Sequence, residues 1–237
     1  MSGYGRYRLI DLFAGCGGMS QGFVDTKRFL PIFANDFNAY ALESYRENFD
    51  PKPGHSIGGD IVHLLKTKAD LIPRADVVVG GPPCQGFSLL NKKRLGDPRR
   101  QLWYQFMQVV DLCGTKIIVM ENVRQLLTSP EFVQIEAVLH DFGFHHVDSK
   151  VLCAANYGVP EMRFRTIIMA SKVGPISLPR PTHFDPKKIP ALLSQSDFFG
   201  KRTLRSWRTV SEAIRDLPQP VGTEIRDTPP TFGSTVR

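Results

Sequence analysis

One cysteine of the sequence stands in a loop whose composition suits a reactive thiol. Cys84 follows a Pro-Pro pair in Gly80-Gly-Pro-Pro-Cys-Gln-Gly-Phe-Ser88, directly after the apolar run 75–80. A lone cysteine is most often an inert core residue, but glycine, proline and glutamine are poor neighbours for a packed thiol. The sequence therefore predicts that Cys84 sits at the end of a buried strand, where it could act as a nucleophile.

A carboxyl group and two arginines offer polar partners for such a thiol. Glu121-Asn-Val123 comes directly after the apolar run 116–120. Since ligands of α/β proteins bind at the carboxyl ends of the strands, Glu121 is expected to face the same crevice as Cys84, although an acid there is often only a helix cap. Arg163 and Arg165 have the spacing that puts side chains on one face of a strand. Cross-strand ion pairs would explain this pair, and so would recognition of an oxygen-rich ligand.

The segment Asp11-Leu-Phe-Ala-Gly-Cys-Gly-Gly18 has the pattern of a strand, a glycine loop and a helix start. Glycines at the end of a strand let a nucleotide-like ligand approach the backbone, and Asp36, at the end of the next strand, could hold ribose hydroxyls. Ser20 occupies the third glycine position of G-x-G-x-x-G, so a tight strand–helix turn explains the loop equally well.

Alternating strand and helix signals position these residues. Strands are predicted at 7–13, 30–36, 75–80 and 116–120, helices at 19–25, 38–48, 101–113 and 209–217, and a hairpin pair within 151–170. This order indicates an α/β fold with a mainly parallel sheet.

Composition narrows the class of protein. The 237 residues are 42% hydrophobic and 22% charged, as in ordinary globular proteins. No apolar run approaches about 18 residues, so no membrane span is predicted, and the N-terminus lacks the pattern of a signal peptide. The four cysteines lie far apart without a C-x-x-C pair, which argues against a disulfide framework or a metal site and favours a reducing cytoplasm.

The net charge of +7 is concentrated in two segments. Residues 172–208 hold eight Lys/Arg against two acids, and residues 92–100 hold five against one. Such segments suggest contact with a polyanion, although solvated basic loops would look the same. Nine of the 18 prolines follow Ser171, where apolar periodicity nearly vanishes.

Taken together, these segments resemble, in order, the motifs of the cytosine-C5 DNA methyltransferases. Gly81-Pro-Pro-Cys-Gln85 and Glu121-Asn-Val123 are the most specific matches, and the resemblance covers about residues 7–218. One departure is Glu161, where the family usually has Gln in its Gln-x-Arg-x-Arg motif. The resemblance implies a Rossmann-like, S-adenosylmethionine-dependent methyltransferase fold with a mostly parallel, mixed central sheet.

The resemblance also implies roles for individual residues. Cys84 would add to C6 of an extruded cytosine, Glu121 would hold or protonate N3, and Arg165, supported by Arg163, would stabilise the base near O2. S-adenosyl-L-methionine would be bound by Phe13, Ala14, Gly15, Cys16, Gly17, Gly18, Asp36, Asp60, Ile61, Gly81, Pro83 and Leu102. The flipped base and the DNA phosphates would be contacted by Gln85, Ser88, Lys92, Lys93, Arg94 and Arg99.

The resemblance further predicts how the chain is organised. Residues 1–171 would form the catalytic, cofactor-binding domain, and residues 172–237 a basic, Pro-rich extension leading toward a target-recognition domain that the sequence lacks. We therefore expect the larger, catalytic half of a split enzyme. It would act on double-stranded DNA in the bacterial cytoplasm, within a restriction–modification system. A second subunit carrying the recognition domain and the final motifs would complete a heterodimer.

Three rival functions stay open at this point. A tRNA cytosine-5 methyltransferase would use the same chemistry, and its discriminating features lie mostly in the recognition region. A catalytically silent regulatory paralogue is disfavoured, because Cys84, Glu121 and Arg165 are all retained. A nicotinamide-dependent oxidoreductase would explain the glycine loop and Asp36 but not the Pro-Pro-Cys-Gln segment.

Overall fold

A seven-stranded sheet forms the centre of the computed structural model, which describes residues 5–52, 54–83, 102–188 and 205–217. The strands are β1 Tyr7–Leu12, β2 Phe29–Asp36, β3 Ser56–Gly58, β4 Val77–Gly80, β5 Ile117–Val123, β6 His146–Cys153 and β7 Phe164–Ser171. Their order is β3-β2-β1-β4-β5-β7-β6. The first five strands pair in parallel, whereas β7 is antiparallel to both β5 and β6. The predicted mostly parallel, mixed sheet is therefore confirmed.

Helices cover the two faces of this sheet unequally. They are α1 Gly18–Val24, α2 Ala39–Phe49, α3 Ile61–Thr67, α4 Leu102–Cys113 and α5 Pro130–Asp141. Successive strand residues point to opposite faces, so Ile10 packs with α3, α4 and α5 in the large core cluster. Leu9 points the other way and packs with Phe23 of α1. None of the helices in the described ranges has the length and apolar composition that a membrane span needs.

Beside α1, the second face of the sheet carries an apolar groove of about 440 Å³. Its floor includes Val77, Val119 and Met169, from β4, β5 and β7, and its rim includes Arg28 and Lys116. Parallel sheets normally have both faces covered. The groove is therefore a surface on which a further apolar segment could pack.

Several sequence predictions need correction. Strand β5 continues to Val123, so Glu121 lies inside the strand and not after it, because β7 pairs with β5 along its whole length. Strand β3 and helices α3 and α5 were not predicted. β3 and α3 are short, with three and seven residues. Helix α5 has ordinary start signals that were overlooked, with Ser129 as its N-cap and Pro130 as its first residue.

Part of the basic extension packs back onto the sheet. The backbone N–H of Leu178 donates to Asp148 of β6 (2.8 Å), and Leu178 is buried. A short parallel pair, β8 His183–Phe184 and β9 Arg205–Ser206, follows, and then helix α6 Val210–Ile214. The indole N–H of Trp207 donates to Asn156 (2.9 Å). These contacts join residues beyond 171 to the sheet.

Gly80, the last residue of β4, is expected to tolerate no side chain. A Cβ there would collide with the backbone oxygen of Leu12, and the ring of Phe106 lies 3.1 Å away. Gly80→Ala should lower the free energy of unfolding by about 1–3 kcal/mol, as overpacking does. Gly22→Ala in α1, where a Cβ meets nothing within 4 Å, should instead raise it by about 0.5–1 kcal/mol. Urea denaturation measures both, and equal effects would contradict this packing.

Candidate active site

The loop after β1 is shaped by left-handed backbone conformations. Gly17, which precedes α1, has φ 92°, and a Cβ at this position would collide with the ring of Phe49. Gly15 has φ 56°, and a Cβ there would meet nothing within 4 Å. Gly17 is thus required by packing, whereas Gly15 exposes backbone to an open space where a ligand can approach.

Asp36, at the carboxyl end of β2, holds this loop. Its carboxylate accepts hydrogen bonds from the backbone N–H groups of Gly15 (2.8 Å) and Asn38 (2.7 Å). The carboxylate of Asp60 caps α3 by accepting from the N–H groups of Val62 and His63. The ends of β1, β2 and β3 therefore form one edge with two carboxylates.

The remaining predicted cofactor residues differ in how accessible they are. Cys16 is exposed in the loop, Gly18 is exposed at the start of α1, and Phe13 is half-buried. Ala14 and Ile61 are buried core residues, and Leu102, at the start of α4, packs partly against the core. Phe37 was not predicted as a site residue, yet its ring is 79% exposed directly after Asp36. An aromatic residue directly after a strand-end acid is a sequence signal that could have identified Phe37 as a candidate.

Ser20, the departure from the glycine pattern, has a structural explanation. Its hydroxyl donates to the carboxylate of Asp11 (2.7 Å), and its backbone N–H also donates to that carboxylate (3.3 Å). The Tyr45 hydroxyl lies 3.4 Å from the Ser20 hydroxyl. These three buried residues tie α1 and α2 to β1 directly beneath the glycine loop.

Burial gives Asp11 unusual acid–base properties. The second carboxylate oxygen, Oδ1, is buried without a hydrogen-bond partner in the described structure. Desolvation, aided by the nearby negative charge of Asp36, raises the pKa of Asp11 to about 7, against the lowering effect of the Ser20 hydrogen bonds.

The polar centre of the site lies where β5 and β7 run side by side. The Arg165 guanidinium contacts the Glu121 carboxylate at 2.8 Å, with both side chains about one-third exposed. The two residues share a face because Val123, two residues after Glu121, pairs with Arg165. This pair places a carboxylate and a guanidinium side by side near the carboxyl end of β5.

The Pro-Pro segment approaches Glu121 closely. A Cβ at Gly81 would lie 3.0 Å from the Glu121 carboxylate, and the Asn122 amide donates to the backbone oxygen of Pro82 (3.1 Å). These contacts fix the chain just before Cys84 against β5. Cys84 itself and the predicted DNA-contacting residues Gln85, Ser88, Lys92, Lys93, Arg94 and Arg99 lie outside the described residues.

Arg163 does not share the position of Arg165. Strand β7 begins at Phe164, so the prediction that both arginines alternate along one strand is wrong for Arg163. Its guanidinium lies 3.6 Å from the Glu161 carboxylate, and its backbone oxygen accepts from the N–H of Ala154. In the described part of the chain, no group of three His, Cys, Asp or Glu side chains could hold a metal ion.

Comparisons with known proteins identify the class to which this fold and site belong. The sequence matches the model of the C-5 cytosine-specific DNA methylase family over residues 7–226, so the chain belongs to this family. It is 34% identical over 223 residues to the type II methyltransferase M.AgeI of Thalassovita gelatinovora, covering 90% of this chain and 52% of M.AgeI. The chain thus spans about half the length of that curated relative.

Other relatives add to this picture. The type II methyltransferase M.AquIA of Picosynechococcus is 33% identical over 228 residues, which is 89% of each chain. The structure of the Entamoeba histolytica methyltransferase EhMeth superposes with a TM-score of 0.60 at 21% identity, over 72% of this chain and 54% of that one. A Spodoptera frugiperda DNMT2 variant superposes with a TM-score of 0.58 at 24% identity, over 74% and 56%. These structural likenesses support the methyltransferase fold.

The buried Asp11 should make stability depend on pH. Its folded pKa of about 7 lies above the ordinary value of 3.8, so the folded state binds more protons between these values and stability falls as pH rises. Relative to Asp11→Asn, the wild type should lose about 2 kcal/mol of unfolding free energy from about pH 5 to pH 7.5. Urea denaturation at both pH values tests this.

A matched control for this experiment is Asp70→Asn, which changes an exposed carboxylate. Its stability should follow the wild-type pH dependence. If the wild-type and Asp11→Asn curves ran parallel instead, the buried ionisation of Asp11 would be excluded.

Proposed function

We propose that this chain is the catalytic part of a DNA (cytosine-5)-methyltransferase that uses S-adenosylmethionine. The observation that carries the proposal is the Glu121–Arg165 ion pair, which adjoins the Gly81-Pro82-Pro83 segment leading to Cys84. This segment directly follows β4, and the glycine loop directly follows β1. Strands β4 and β1 pair in parallel. A donor site and an acceptor site are thereby neighbours along one sheet edge.

The edge formed by β1, β2 and β3 suits S-adenosylmethionine, which supplies an electrophilic methyl group when bound. The open backbone at Gly15 would approach the cofactor. The Asp36 carboxylate would accept hydrogen bonds from ribose hydroxyls, and the exposed ring of Phe37 offers a flat apolar surface for an adenine. Asp60, exposed at the start of α3, adds a second carboxylate at this edge.

The acceptor chemistry follows from the polar groups around the Pro-Pro segment. C5 of cytosine is a poor nucleophile, but a Cys84 thiolate adding to C6 would push electron density onto C5. Glu121 would hold the N3 edge of the ring, and Arg165 would fix the Glu121 carboxylate while facing O2. After methyl transfer, loss of the C5 proton and departure of the thiolate restore the aromatic ring.

The position of this pair also requires base extrusion. The Glu121 and Arg165 side chains are about two-thirds buried, so a cytosine stacked in a duplex could not reach them. Removing the base from the stack costs a few kcal/mol, which contacts to the flanking backbone must offset.

A second polypeptide would complete the enzyme under this proposal. The apolar groove beside α1, whose lining includes the charged residues Arg28, Asp76 and Lys116, would accept an amphipathic segment from the partner. That partner would also supply sequence recognition.

A trapped covalent intermediate tests the nucleophile. With random-sequence duplex DNA containing 5-fluorocytosine and S-adenosylmethionine, the complete enzyme, in which the wild-type chain is combined with the second polypeptide, should form a covalent adduct on this chain, because fluorine at C5 cannot leave as a proton does. Cys84→Ser should form none, whereas Cys153→Ala, which removes a buried thiol on β6, should retain it. Mass spectrometry of the intact protein measures this, and an adduct in Cys84→Ser would refute the mechanism.

A conservative change of the acid tests its role. Glu121→Gln keeps the size of the side chain but removes the charge that contacts Arg165. The single-turnover rate of methyl transfer should fall about 10²–10⁴-fold, the range of general acid–base contributions. The dissociation constant for S-adenosylmethionine, from calorimetry, should change less than about threefold. An unchanged rate would remove Glu121 from the mechanism.

A further inference from the structure

Glu161, which stands where the family usually has Gln, lines a shallow cleft next to the Glu121–Arg165 pair. The cleft has a volume of about 380 Å³. It is lined by Val123, Arg124, Gln125 and residues 161–165. One wall is the turn Arg124–Thr128, which continues β5, and the other is the segment that enters β7. Because Val123 pairs with Arg165, the cleft adjoins the edge where an extruded base would be held.

Three arginines give this cleft its charge, and their environments differ. Arg165 is held by Glu121 at 2.8 Å in a partly buried pair. Arg163 contacts Glu161 at 3.6 Å, with 49% and 59% of the two side chains exposed. Exposed pairs of this kind contribute about 0–1 kcal/mol, so a phosphate of the densely charged DNA backbone can displace the Glu161 carboxylate. Arg124 is exposed on the opposite wall.

We propose that this cleft binds a phosphodiester of the DNA backbone beside the extruded cytosine, through Arg124 and Arg163. Before DNA binds, the Glu161 carboxylate is paired with the Arg163 guanidinium, and the phosphate displaces it. This inference rests on the proposed function. Guanidinium groups bind phosphate oxygens in bidentate geometry, and the two arginines approach the cleft from two walls. Met162 (66% exposed) and Phe164 (39% exposed) add apolar surface for the sugar between phosphates.

In this arrangement Glu161 weakens DNA binding, because it competes with the phosphate for Arg163. A glutamine at the same position would leave Arg163 without a competing charge and would not repel the phosphate. The glutamate has to give up its arginine before the backbone can bind, and its negative charge then faces the phosphate. Replacing Glu161 should therefore tighten DNA binding, although the substitution removes a contact.

Binding of a fluorescent single-stranded oligodeoxynucleotide, measured by anisotropy over a range of salt, tests the cleft. Glu161→Gln should bind about three- to tenfold more tightly at low salt. Glu47→Gln makes the same charge change at an exposed position of α2, the helix that packs against β2 and β3. This variant should bind the oligodeoxynucleotide within about 1.5-fold of the wild type. If the two variants bound alike, Glu161 would not compete with phosphate.

Arg124 is tested through the salt dependence. Arg124→Ala should weaken binding and reduce the slope of log Kd against log salt by about 0.7, which corresponds to the loss of one phosphate contact to a single strand. Arg124→Lys should restore most of the slope, which a merely structural role would not predict. An unchanged slope in Arg124→Ala would overturn the phosphate site.

The covalent adduct with 5-fluorocytosine DNA separates this inference from the proposed function. If the wild type forms the adduct while Glu161→Gln and Arg124→Ala bind like the wild type, only the phosphate site is wrong. If the complete enzyme with the wild-type chain forms no adduct, the proposed function fails, and the binding series still decides whether the cleft takes phosphate.

Discussion

The parallel pairing of β1, β2, β4 and β5 is the constraint on which the site depends. Parallel strands bring their carboxyl ends to one edge, so the glycine loop, Asp36, Gly81 and Glu121 become neighbours although they span more than 100 residues of sequence. Packing makes this edge rigid. Gly80 contacts Leu12 so closely that no side chain fits at this position. The buried Asp11–Ser20–Tyr45 contacts anchor helices α1 and α2 to β1.

The antiparallel strand β7 adds what a purely parallel sheet could not. It enters the sheet next to β5 and runs against it, so its first residues meet the last residues of β5. Arg165 thereby reaches Glu121 from a strand whose sequence lies more than 40 residues away. The same geometry opens the cleft between Arg124 and Arg163. One strand reversal therefore creates both the Glu121–Arg165 pair and the adjoining arginine cleft.

Much of this arrangement could be predicted from local sequence, and the failures have physical reasons. Apolar runs identified β1, β4 and most of β5, and the strand-end rule placed Glu121 near the carboxyl end of β5. The sequence did not indicate that β5 extends through Glu121, because that extension depends on pairing with β7. Ser20 looked like a departure from a glycine motif, because local sequence does not show that its hydroxyl bonds to the buried Asp11 carboxylate. Arg163 directly precedes β7, and its side chain contacts Glu161, two residues earlier in the chain, which the spacing of the two arginines did not indicate.

The central claim is that one edge of the sheet activates C5 of cytosine for methylation. The most direct measurement uses duplex DNA carrying tritium at C5 of cytosine, together with S-adenosylmethionine and the complete enzyme. Methylation at C5 must expel that hydrogen, so the account predicts one tritium released to water for each methyl group transferred. Methyl transfer without tritium release would contradict it, because the methyl group would then have gone to another atom.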